Sequence, residues 1–78
     1  VKITLSEALA ILACREGVQV WGADMLRELD AVAARQPTHD PLVERGEGHY
    51  ARATAEGLRQ AGEVVKEHYN QKRLSAVV

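Results

Sequence analysis

Charged residues between Tyr50 and Asn70 fall at Arg52, Glu56, Arg59, Glu63 and Lys66, in steps of four, three, four and three. That spacing places them along one side of a helix with alternating sign, the mark of a face turned to water. Ala51, Ala55, Leu58, Gly62, Val65 and Tyr69 repeat the spacing on another side, widened by Thr54, Gly57, Ala61 and Val64. The pattern predicts an amphipathic helix of roughly 30 Å. Gly57, Ala61 and Gly62 put three nearly bare positions in the middle of its apolar seam. A helical glycine costs about 0.5 to 1 kcal/mol relative to alanine, so the notch calls for close approach by another backbone or a large side chain.

Two further helices precede it. Thr4 followed by Glu7 fits a capping box, and Ala8 to Cys14 is apolar on every side, which predicts a helix enclosed all round. Gly17 suits the position just past a helix end, so helix one is expected to stop near Glu16. Met25, Leu29, Val32 and Gln36, joined by Leu26 and Ala33, oppose Asp24, Arg27, Glu28, Asp30 and Arg35. This predicts helix two, with an early start in Val18 to Trp21 and a stop at Pro37, which disfavours helical backbone in the residue before it. Pro37 to Gly48 is expected to be a connecting loop, with Asp40 and Pro41 as the cap and first residue of a helical turn. The terminal segments VKITL and LSAVV could pair as short strands. The fold class expected is all-α: one domain over residues 1–78, three helices in an up-down arrangement, with the long C-terminal helix antiparallel to helix two.

Composition limits how well such a bundle stands alone. Of the 36 hydrophobic residues twelve are Ala, there is no Phe, and the aromatic set is one Trp and two Tyr. A core of this size supplies only about 3 to 5 kcal/mol, which makes self-association into a helical homodimer the expected reinforcement. Cys14, the single cysteine, excludes a disulfide within the monomer and fits a reducing, cytoplasmic setting. No apolar run approaches the roughly 18 residues of a membrane span, and no signal peptide pattern occurs. Ala, Gly and Arg make up 25 residues, a bias that GC-rich bacterial or phage coding produces.

Chemistry finds little footing. Ala13, Gly17 and Val18 have the spacing of a helix-turn-helix, which keeps DNA-binding transcription regulation as the alternative. The helix that would read bases offers no Lys or Arg before Arg27, and ten basic against eleven acidic residues give a net charge of −1. Nucleic acid is therefore possible but not favoured. No metal site is expected: Glu47 and His49 are two residues apart, Glu67 and His68 are adjacent, and neither spacing shares a helix face. Cys14 lies in an apolar run that would leave its thiol inert, and no phosphate cradle is present, so neither enzyme nor cofactor is expected. The expectation is a non-enzymatic protein-interaction module, a small regulator or inhibitor docked on a larger protein complex. Trp21, Met25, Tyr50 and Tyr69 are its expected anchors, because Met and aromatic residues carry much of the energy at helical interfaces.

Overall fold

A computed structural model describes residues 2–15 and 22–77, with side chains through residue 72. Helix α1 spans Leu5–Ala13, α2 Ala23–Arg35 and α3 Ala55–Val77; two strands, β1 Val43–Arg45 and β2 Ala51–Ala53, lie between α2 and α3. The fold is therefore mixed and mostly helical, not all-α. The expected start of α2 in residues 18–21, and Gly17, lie outside the described residues; Gly22, at φ 92°, leads into α2. The capping box forms as its spacing requires: the Thr4 hydroxyl accepts from the Glu7 amide at 3.1 Å, and Glu7 Oε1 accepts from the Thr4 amide at 2.8 Å. The VKITL segment forms no strand in its described part, and LSAVV continues α3 as far as Val77.

The correction to the fold class comes from the segment expected to be loop and helix start. Antiparallel pairing sets Val43 opposite Ala53, Glu44 opposite Arg52 and Arg45 opposite Ala51. Val43, Ala51 and Ala53 turn inward and are buried, while Glu44 and Arg52 face out, the alternation a half-buried strand demands. Alanine favours helix intrinsically, but burial of Ala51 and Ala53 against the core overrides that weak preference. Gly48, at φ 64°, makes the turn, and Asp40 at φ 57° takes a left-handed conformation in place of capping a helix.

Two polar side chains lock this hairpin. Gln36 Oε1 accepts from the amides of Leu42 and Val43 at 2.9 and 3.0 Å, and its Nε2 donates to the Val43 carbonyl at 3.1 Å. The loop after α2 is thereby closed by the last residue of the helix's own seam. Thr54 Oγ1 donates toward the Pro41 and Leu42 carbonyls at 2.5 and 3.0 Å and accepts from the Gly57 amide at 3.0 Å. That acceptance satisfies one orphan amide of the first turn of α3, so the helix begins after Thr54.

The core joins Ala8, Ile11 and Cys14 of α1 to Leu29 and Val32 of α2, Leu42, Val43, Ala51 and Ala53 of the hairpin, and Ala61 of α3. The Ala53 amide also donates to the Cys14 carbonyl at 3.2 Å, fastening β2 to the end of α1. Helix α3 lies on α1, not on α2 as expected. The hairpin explains the change: it occupies the space beside α2 and redirects the chain before α3 starts. At Gly57 a Cβ would overlap the Leu42 carbonyl oxygen and stand 2.8 Å from its carbon. Backbone thus fills half of the expected notch. Gly62 faces open space, with nothing within 4 Å of where its Cβ would be.

Candidate interaction surface

Helix α1, apolar all round and too much for so small a chain to enclose alone, is only partly covered by its own chain. Ala8, Ala10, Ile11 and Cys14 are buried, whereas Leu9 is 52% exposed and Ala13 is open to solvent. The reason lies in the helical period: Leu9 and Ala13 fall one turn apart on a stripe that neither α2, α3 nor the hairpin covers. Across from Leu9, Met25 on the first turns of α2 is half-buried and packs against the core. Between them runs a groove of about 290 Å³, with Ser6, Leu9 and Ala10 as one wall and Asp24, Met25 and Glu28 as the other. Its middle is apolar and its α2 rim carries two carboxylates.

The arginines add no cation to that rim except Arg27, whose guanidinium meets Asp24 at 3.4 Å with both side chains almost fully exposed. Such a pair is screened by water and contributes little. Three other arginines are committed within the fold. Arg35 donates to Glu7 Oε1 at 2.7 Å and to the Lys2 carbonyl at 3.2 Å, clasping the N-terminal segment onto α2. Arg45 pairs with Asp30 at 2.7 Å and reaches the Tyr50 carbonyl, and Arg59 pairs with Glu56 and with Glu63 at 3.0 Å. Glu7 is 3% exposed, and the Arg35 guanidinium holds its carboxyl below the usual carboxylate range; burial opposes this and the Thr4 amide assists it. Arg59 acts likewise on Glu56, with help from Gln60.

The four expected anchors are not brought together. Trp21 lies outside the described residues. Met25 lines the groove. Tyr50 sits at the start of β2 with its ring against Gly46, where a Cβ would meet ring carbon Cδ1 at 2.6 Å, so the tyrosine serves the hairpin turn and leaves one edge exposed. Tyr69 is on the distal half of α3, 66% exposed, edge-on to His68 with ring centroids 6.1 Å apart. Leu9 is the exposed aliphatic residue that sequence reasoning missed. Its signal was present, since Leu5, Leu9 and Ala13 recur at four-residue steps off the Ala8–Ile11 stripe.

A second groove, of about 430 Å³, separates the N-terminal segment from α3, with Ile3 and Val64 at its floor and Lys2, Arg59, Glu63 and Glu67 around it. Its charges balance, and Arg59 and Glu63 already satisfy each other. Cys14 is buried, and that burial raises its thiol pKa, which leaves it poorly suited to nucleophilic chemistry. Among the described residues no three His, Cys, Asp or Glu side chains gather as a metal site, and no helix is long and apolar enough to cross a membrane. Compared with protein-family models, curated proteins and solved structures, the chain finds no match.

Proposed function

We propose that this chain is a non-enzymatic docking module, acting as a small regulator or inhibitor whose α1–α2 groove receives a helical segment of another polypeptide. The observation that carries the reading is Leu9: a large aliphatic side chain left half-exposed beside Met25, in a groove with an acidic rim. An exposed leucine alone would mean little, but here it lies in a concave apolar strip edged by Asp24 and Glu28. The complementary segment is an amphipathic helix with an aliphatic anchor and flanking Lys or Arg, the helix-in-groove mode. Opposite charges at the rim would fix orientation and exclude acidic competitors.

The test is titration of the 15N-labelled protein with a helical Leu/Lys peptide and, separately, with its Leu/Glu counterpart. Amide shifts confined to Ser6, Leu9, Ala10, Met25 and Glu28, seen with the first peptide and absent with the second, support the reading. Equal responses to both, or none, refute it.

A second reading, helix-turn-helix DNA binding, gains one observation: α2 is followed directly by a hairpin packed on it, with Arg52 and His49 exposed. A helix and a β-ribbon side by side are both elements that DNA grooves admit. Against it, Arg35, Arg45 and Arg59 are paired within the fold. A salt-dependent shift of generic duplex DNA would favour this reading, and no shift at low salt would remove it.

A further inference from the structure

We infer that the occupant of the α1–α2 groove is the distal part of α3 from a second copy of this chain, exchanged reciprocally in a two-fold dimer. The inference rests on the reading of that groove as a docking site and names what fills it. Helix α3 has 23 residues and lies on α1, which has nine. At 1.5 Å per residue these are about 34 Å and 14 Å, so much of α3 runs past its support. Accessibility agrees: from Lys66 to Lys72 every residue is exposed except half-buried His68. From Lys66 to Lys72 the helix has little cover from its own domain and is available to another molecule.

Charge selects the groove as its seat. The distal part of α3 includes Lys72-Arg73-Leu74-Ser75-Ala76-Val77, with two adjacent cations, three apolar residues and no acid. The groove presents the inverse: Asp24 and Glu28 at its edge, Leu9, Ala10 and Met25 within. This is the same anchor-plus-cation chemistry required of the groove's ligand. The chain cannot serve its own groove, because α3 is unbroken from Ala55 to Val77 and Leu9 stays exposed with that helix in place. Reciprocal exchange between two copies uses both overhangs and both grooves, and closes the assembly at two.

Sedimentation equilibrium over a concentration series, with charge reversals, tests this. The wild-type chain should dimerise; K72E/R73E and D24K/E28K should each weaken the dimer by about tenfold or more, since like charges then face each other. Mixing the two reversed variants should yield a heterodimer in which both grooves face an overhang of opposite charge, and combining all four changes in one chain should restore dimerisation. Circular dichroism checks that each variant keeps its helices. If D24K/E28K fails to fold, K72E/R73E, which changes only the overhang, together with interchain disulfide formation between Leu9→Cys and Leu74→Cys in a Cys14→Ala background, decides the matter. A wild-type monomer at every concentration, or a dimer indifferent to the overhang reversal, overturns the inference. If the monomer still binds the Leu/Lys peptide in the groove, the docking reading survives and only the identity of the occupant is wrong.

Discussion

Two glycines five residues apart in α3 should respond to the same substitution with opposite sign. At Gly57 an added methyl would overlap the Leu42 carbonyl oxygen, and would stand 2.8 Å from the carbonyl carbon and 3.2 Å from Cα. Those are backbone atoms, so the strain cannot be relieved by turning a side chain. The same carbonyl accepts from the Thr54 amide at 3.1 Å and from Thr54 Oγ1 at 3.0 Å, so moving the helix away from it loosens both bonds and the start of α3. Overpacking costs about 1 to 3 kcal/mol, and each weakened hydrogen bond about 0.5 to 1.5 kcal/mol. Set against a helix-propensity gain of at most about 1 kcal/mol, Gly57→Ala should lose about 2 to 4 kcal/mol. For a domain with roughly 3 to 5 kcal/mol in hand, that leaves a large unfolded fraction. At Gly62 nothing lies within 4 Å of the new methyl. Only the propensity term remains there, so Gly62→Ala should gain about 0.5 to 1 kcal/mol, a rise in Tm of roughly 2 to 8 °C. Urea denaturation at a protein concentration low enough to keep the chain monomeric, compared at constant m, reads both values. Wild-type stability in Gly57→Ala, or equal losses in the two variants, would refute the close approach of α3 to Leu42.

Three other outcomes follow from the same geometry. The Glu7 carboxyl titrates below its unfolded-state range, so the stability it supplies is fully present above the unfolded pKa, near 4.3, and is lost as pH falls through the lower folded value. Glu7→Gln should therefore flatten the acid limb of the stability profile, and Glu7→Ala, which also removes half the capping box, should cost about 2 to 3 kcal/mol at neutral pH. Gln36→Ala removes the three hydrogen bonds that hold Leu42 and Val43, and should lose about 2 kcal/mol in urea denaturation, with the earliest hydrogen exchange in β1. The Cys14 thiol, buried with its pKa pushed up, should react with a thiol reagent only as fast as the domain opens, so the rate should rise with urea in step with unfolding; fast labelling of the native chain would contradict that burial.

What the sequence determined by itself was local. The Thr4–Glu7 capping box, the inner face of α2 through Leu29 and Val32, the stop before Pro37 and the long amphipathic α3 all rest on interactions three or four residues apart, which spacing displays directly. The hairpin was illegible because each strand has only three residues, two of the inward ones are alanines, and the pairing joins positions six to ten apart. No short window holds enough alternation to outweigh helical propensity there. Tertiary structure alone decided that α3 leans on α1, that Leu42 fills the space at Gly57, and that Gln36 turns from the end of an apolar stripe into the clasp of a loop. It also decided which side of an all-apolar helix stays uncovered. A run such as Ala8 to Cys14 announces burial without direction, and the packed positions of α2, α3 and the hairpin decide that Leu9 and Ala13 are the α1 side chains those elements do not cover.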